Sequence, residues 1–480
     1  MLFPTMAFAL FFVVAFVMNW LLRPRHTAWR VAMIALSFWF YGSWDARFLL
    51  LLGGCAVGNW LVGHAMAAAS DADGLTAAGR RIQALGIALD LGVLGVFKYY
   101  GFFAASARDA LADLGVDAGP PLFEIVLPVG ISFFTFQAIS YLVDLGRGRL
   151  PEPMRLLDLT LYLSFFPQLV AGPIVRATDM ARQIDQAPDP RTVPMAEAFW
   201  LIGRGLVKKV VISSYLADAI VDPVFGAPQA YSGFDNLVAV YAYAIQIYAD
   251  FSGYTDIAIG CALLLGFRFP DNFAAPYVAE SLQDFWRRWH ISLSSFLRDY
   301  LYIPLGGNRG GTLLTYRNLA LTMVLGGLWH GAAWQFVIWG AIHGGVLAAE
   351  RFVTERSRRS QTAALPDDVA RLLRWLLTFH IVCLAWIFFR APDTGVAADV
   401  IAQIATVAQV PTPSLVTVTL AAVIGASLAS QFVPDHAADR VVARFGGLPA
   451  VAQAAVAALV LVAIDVLGPE GVAPFIYFQF

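Results

Sequence analysis

Charge is what this chain has least of. Asp, Glu, Lys and Arg make up 14% of its 480 residues, against about a quarter in an ordinary soluble domain, while 59% are hydrophobic. A soluble enzyme carrying one membrane anchor is excluded, because such a chain would look average once the anchor was set aside. Basic excess is missing too: 32 Lys and Arg against 34 Asp and Glu leave a net charge of −2, which argues against a nucleic-acid partner. Cysteine is limited to Cys55, Cys261 and Cys383, each inside an apolar run. With no CxxC and no Cys/His cluster they offer neither a redox pair nor a metal site, so no metal is expected and they read as small core hydrophobes. No fixed-period repeat and no pair of similar halves is present, which weakens a transporter reading. The first apolar run, from Leu2 to Leu22, has no basic segment before it and no Ala-x-Ala-like site after it. It reads as a retained span rather than a cleaved signal.

What is present is a series of apolar runs: 2–22, 31–44, 48–69, 82–104, 122–145, 157–175, 197–220, 236–267, 318–350, 372–390, 414–433 and 449–468. At about 20 residues per crossing they predict an all-α, polytopic helical membrane protein of about ten to twelve spans. The basic loop from Arg23 to Arg30 places that loop in the cytoplasm and the N-terminus outside. Alternation agrees: Arg80 and Arg81 fall inside, 105–121 with Asp109, Asp113 and Asp117 outside, and Arg147, Arg149 and Arg155 inside again. The loop 221–235, without Lys or Arg, falls outside, and the arginine-rich 268–317 and 351–374 inside. Two runs resist simple crossing. Segment 157–175 has basic flanks and two prolines in Phe165-Phe-Pro-Gln-Leu-Val-Ala-Gly-Pro173, which suggests a re-entrant turn. Segment 318–350 is too long for one upright span, and Gly326-Gly-Leu-Trp-His-Gly331 suggests a bend within it.

Chemistry at depth starts with histidine, the side chain most readily poised for proton transfer near neutrality. His26 and His436 lie in polar loops and read as solvated groups; His64, His343 and His380 lie in or near spans, where interhelical hydrogen bonding is the commoner role. His330 sits mid-run between glycines, with Trp329 and Trp334 able to wall a cavity, and here a catalytic base and a structural bend stand equal. The segment Asp284-Phe-Trp-Arg-Arg-Trp-His-Ile-Ser-Leu-Ser-Ser-Phe-Leu-Arg-Asp-Tyr300 reads as one interfacial amphipathic helix, with Trp286 on its apolar face, Arg287 off it and His290 at the edge. The glycine-rich turn 303–311, holding Asn308 and Arg309, would suit an anionic ligand such as the phosphates of a nucleotide-like donor. A third cluster, 246–256, puts Tyr248, Asp250, Ser252 and Asp256 inside one hydrophobic run, either to orient a histidine or to bond adjacent helices. Asp90 and Lys98 in the fourth run are either a buried pair or ordinary end-of-helix polar groups.

Asp284-Phe-Trp-Arg-Arg-Trp-His-Ile-Ser-Leu-Ser, Tyr300-Leu-Tyr-Ile-Pro-Leu-Gly-Gly-Asn-Arg-Gly-Gly311 and Gly327-Leu-Trp-His-Gly-Ala resemble the membrane-bound O-acyltransferase family, in particular its bacterial alginate O-acetyltransferase branch. So do Pro128-Val-Gly-Ile-Ser-Phe-Phe-Thr-Phe-Gln137, Phe166-Pro-Gln-Leu-Val-Ala-Gly-Pro173, Tyr248-Ala-Asp-Phe-Ser-Gly-Tyr-Thr-Asp256 and the aromatic end Phe475-Ile-Tyr-Phe-Gln-Phe480. The resemblance implies one transmembrane domain over 1–480, with N-terminal spans to 120, a motif-bearing core over 121–350 and C-terminal spans beyond, enclosing a funnel or tunnel. It maps a buried catalytic histidine onto His330 and a second onto His290. Trp286, Arg287, Asn308, Arg309, Trp329, Tyr248, Asp250 and Ser252 are then candidates for binding donor or substrate. The implied reaction carries an acetyl group from cytosolic acetyl-CoA, with no permanently bound cofactor, toward an extracytoplasmic acceptor on an exported polysaccharide. Implied partners are an SGNH-type acetyltransferase, a polysaccharide biosynthesis complex and membrane lipid, in a bacterial inner membrane with both termini periplasmic. A D-alanyl-transferring member acting on teichoic acid, and a non-enzymatic export or transport component, are the alternatives.

Overall fold

The computed structural model describes residues 3–72, 74–116, 119–123, 125–186, 188–357, 366–468 and 475–476. Asp117, Arg358, Arg359 and the end of the aromatic motif, 477–480, lie outside the described residues. The chain is all-α, with one short antiparallel pair, Ser70–Asp71 against Gly74–Leu75, among the described residues. Five helices are long and apolar enough to cross a membrane: Phe48–Ala68, Ala77–Asp113, Trp334–Arg356, Asp367–Arg390 and Ala450–Leu467. Shorter apolar helices are Met6–Leu22, Ile131–Gly146, Thr394–Ala405 and Val418–Ser430. This is a multi-pass membrane protein. It groups into two compact units, Met1–Met195 with Ala258–Pro270, and Ala196–Ile257 with Asp271–Phe480.

The first unit contains α1 (Met6–Leu22), α2 (His26–Gly42), α3 (Phe48–Ala68), α4 (Ala77–Asp113), α5 (Ile131–Gly146), α6 (Leu156–Ser164) and α7 (Ala177–Asp185). Thr5 and Thr76 cap α1 and α4 by accepting the Phe8 and Gly79 N–H groups at 3.2 Å each. α6 stops at Phe165, where the chain turns extended (ψ 110°) two residues before Pro167. Everything from Leu161 to Val175 is buried. Its irregular backbone is served from within: Tyr162 Oη donates to the Val175 carbonyl (2.8 Å) and Gln168 Nε2 to the Tyr162 carbonyl (2.6 Å). The basic stretch 23–30 is not simply a solvated loop, since α2 already begins at His26. Arg30 pairs with Asp158 and, at 3.0 Å, with Asp185, while Arg23 lies 3.9 Å over the Trp29 ring. Asp90 accepts from Asn59 (2.9 Å) and from Cys55 Sγ (3.8 Å), and Lys98 donates to Ser132 (3.3 Å).

The second unit holds α8 (Met195–Leu206, of which Met195 groups with the first unit), most of α9 (Gly233–Leu264), α10 (Leu282–Arg288), α11 (Ile291–Leu297), α12 (Thr312–His330), α13 (Trp334–Ser357) and α14 (Asp367–Arg390). Gly205 and Gly253 let α8 and α9 touch backbone to backbone: a Cβ on Gly205 would fall 2.5 Å from the Gly253 carbonyl oxygen. The long run 318–350 is a hairpin. α12 ends at His330, Gly331 is extended (φ −157°, ψ 146°), and α13 restarts at Trp334. The arms pack antiparallel through Gly327, Gly340 and Gly344; a Cβ on Gly327 would lie 2.2 Å from the Phe336 carbonyl oxygen.

Candidate active site

The expected amphipathic helix over 284–300 is broken in two. α10 ends at Arg288, and His290 adopts a left-handed backbone (φ 44°, ψ 55°) before α11 begins. A non-glycine residue there is strained by about 1–3 kcal/mol and persists only where its surroundings over-determine it. Asn272 supplies that constraint. Its backbone oxygen accepts the Ile291 N–H at 3.0 Å, and its side-chain Oδ1 accepts the Ser292 N–H (3.1 Å) and Ser292 Oγ–H (2.8 Å). Phe285, Trp289 and Leu293, expected on a lipid-facing stripe, are each 1% exposed and face protein. His290 is wholly buried rather than at an edge.

The same Oδ1 lies 3.1 Å from His290 Nδ1. Because that oxygen already accepts a backbone N–H it is an acceptor, so Nδ1 donates and Nε2 carries the lone pair. Nε2 has no hydrogen-bond partner among the described residues. Burial pushes the His290 pKa down to about 3, which keeps the ring neutral near pH 7. Asn272, sitting in a loop with no periodic signal between Asp271 and Phe273, is not singled out by the sequence.

His330 closes α12 and is 4% exposed. Its ring meets Trp329 (5.0 Å), Trp339 (5.1 Å) and Phe389 (5.1 Å) edge to face, and Trp329 in turn lies 5.9 Å from His290. Trp329 therefore touches both histidines. Gly331 makes the turn after His330 possible, since a Cβ there would fall 2.1 Å from the Phe336 ring.

A cavity of about 1040 Å³ opens between α10, α11, α12, α13 and α14; His290, Trp329 and His330 are not among its lining residues, and Trp286 on its wall connects to His330 through the Trp339 ring. Trp286 and Arg287 line it, with Arg298, Arg351 and Arg374. Arg374 is paired with Glu280 (2.8 Å) and Arg351 with Glu355 (2.8 Å), whereas Arg287 is exposed and has no ion pair among the described residues. Asn308 and Arg309 are exposed on the glycine turn and do not line the cavity. Left-handed glycines 306, 307, 310 and 311 shape that turn, and Asn318 ties it down by donating to the Leu305 and Gly307 carbonyls.

The 246–256 cluster divides. Asp250 is 2% exposed, pairs with Lys209, and accepts from Ser213 Oγ (3.3 Å) and the Ile476 N–H (2.9 Å). Asp256 holds Arg204 (2.6 Å) and Lys208 (2.9 Å). Tyr248 stacks near Trp289 (6.5 Å), and Ser252 is buried. Phe251, not singled out in the sequence, meets His290 edge-on at 4.7 Å.

Residues 146–389 match the model of MBOAT, the membrane-bound O-acyltransferase family. A Pseudomonas aeruginosa protein named "Probable alginate O-acetylase AlgI" is 44% identical over 366 residues, 76% of this chain and 67% of the relative. The peptidoglycan O-acetyltransferase of Helicobacter pylori is 37% identical over 397 residues (77% and 72%), and the teichoic acid D-alanyltransferase of Bacillus subtilis 26% over 279 (56% and 70%). The chain belongs to the membrane-bound O-acyltransferase family. It is an O-acyltransferase, and the family match spans His290, His330, Asn272 and the cavity-lining tryptophan and arginines.

Proposed function

We propose that this acyltransferase moves an acetyl group from acetyl-CoA across the membrane for O-acetylation of an exported polysaccharide of the alginate type, with His330 as general base. The observation that carries the reading is the buried His330–Trp329–His290 cluster, joined through Trp339 to Trp286 on the wall of a large arginine-lined cavity. An acceptor O–H gives its proton to the neutral imidazole of His330 while its oxygen attacks the thioester carbonyl carbon. The C–O bond forms, the C–S bond breaks, and the proton passes to the departing thiolate, which leaves as CoA-SH. His290, with Nδ1–H fixed on Asn272 and a lone pair at Nε2, positions the acceptor or donor. Arg287 is the guanidinium available for donor phosphate on the cavity wall. The donor enters from the cytoplasmic side of a bacterial inner membrane, and an SGNH-type partner completes delivery outside.

The test uses the full chain in membranes of an alginate-producing host whose own relative is deleted, supplied with acetyl-CoA. Wild type restores acetyl ester on the secreted polymer and releases CoA, and His330→Ala lowers both at least about 100-fold, the usual loss for a missing general base. Wild-type release by His330→Ala overturns the assignment of the base. Ester on peptidoglycan and none on alginate overturns the acceptor.

A further inference from the structure

The cavity and His330 are separated by two indoles. Trp286 lines the cavity and packs edge-on against Trp339 at 5.7 Å; Trp339, wholly buried, packs on His330 at 5.1 Å. An acyl group moving from cavity to histidine along this wall meets Trp286 first. One polar bond holds that indole in place: its Nε1–H donates to His343 Nδ1 at 3.2 Å. An indole N–H only donates, so the bond requires a lone pair at Nδ1 and the proton of His343 on Nε2. His343 lies one helical turn beyond Trp339 on α13, its ring 4.5 Å from that indole and 5.3 Å from Trp286, and it is wholly buried. The space behind Trp286 is therefore filled by two buried rings. A longer acyl chain directed past Trp286 toward His330 meets these rings.

We infer that His343 is a positioning residue which, through its single hydrogen bond to Trp286, holds that indole across the inner end of the cavity and restricts passage toward His330 to a short acyl group. The inference rests on the reading that the cavity receives the acyl donor. It treats the bond as a latch on Trp286 and gives His343 no contact with reacting atoms. Losing either partner has the same consequence, because Phe at 286 keeps a ring but has no donor, and Leu at 343 fills space but cannot accept. Glutamine at 343 offers an amide oxygen and preserves the latch.

The experiment compares kcat/KM for acetyl-CoA and butyryl-CoA, read as CoA release by the full-length protein in membranes. W286F and H343L are each expected to lower the acetyl-to-butyryl ratio about tenfold, the scale on which extra methylenes are discriminated. H343Q stays within about twofold of wild type, and the double variant W286F/H343L falls no further than either single one, as coupling through one bond requires. A ratio unchanged in H343L, or equally lost in H343Q, overturns the latch even if overall rate falls; should H343L not fold, W286F against H343Q makes the same comparison. Absence of acetyl-CoA turnover by wild type overturns the donor reading and the inference with it.

Discussion

At the scale of single residues, the two histidines stand out in the sequence because a polar ring within an apolar run needs a reason to be there. Asn272 does not stand out. Its work is to accept backbone and side-chain hydrogens from residues 290–292, some 20 positions away, and no spacing rule marks such a contact. Its importance is nonetheless testable. Asn272→Asp keeps every acceptor contact and adds a negative charge beside His290, which favours the protonated ring and raises its pKa from about 3. Activity should then fall at a higher pH than in wild type as pH drops through the raised pKa; a pH–rate profile of CoA release reads the shift. An unchanged profile would mean the Asn272–His290 bond does not hold in the working enzyme. Asp250 teaches the converse. A carboxylate at depth invites a binding role, and here Lys209, Ser213 and a backbone N–H also meet it, contacts that stabilise a buried charge and that no sequence spacing marks.

Among the elements, the hairpin α12–α13 is legible in outline. The glycines and small residues around 326–333 signal a bend, and the break comes at Gly331. What spacing does not give is the pairing of Gly327, Gly340 and Gly344 across the arms, since it depends on which helix comes back. Gly340→Val places carbon where the Met323 carbonyl oxygen lies 2.4 Å from a built Cβ, so the arms must separate. Large destabilisation is expected, roughly 1–3 kcal/mol or more by the measure of overpacked cores, visible as a lowered melting temperature in detergent. A melting temperature equal to wild type would show that the arms do not pack this closely. The helix 284–300 misleads for a different reason: its apolar spacing continues unbroken through a left-handed residue that is not glycine, so nothing in the pattern announces the break. The same is true of Arg23 and Arg30, which look like sidedness markers and are also internal partners of Trp29 and Asp158.

For the whole molecule, composition alone settles the membrane, and the motifs settle the family. Sidedness is still open to direct measurement. Because α12 and α13 return on each other, cysteines introduced for Arg309 and Glu355 should react with an impermeant maleimide from the same side of sealed vesicles, in a background where Cys55, Cys261 and Cys383 are replaced. Labelling from opposite sides would contradict the hairpin. The division of the chain into two units has no counterpart in the composition, because both are equally apolar and the boundary at 195 and 258 depends on contacts far apart in sequence.

Asp250 and Ile476 stand 226 positions apart and share a hydrogen bond, with Phe475 packed on Tyr254 at 4.6 Å. A ribosome moving at about 5–20 residues per second reaches the second partner roughly 10–45 s after the first. Through that interval the carboxylate has only Lys209 and Ser213 of the partners named here, both already synthesised, to keep it stable inside an unfinished protein. The ion pair between α9 and the helical stretch 207–213 that continues α8 can therefore form before the contact with 475–476, and the interior around Phe251 and His290 reaches its final form only once those residues have been made.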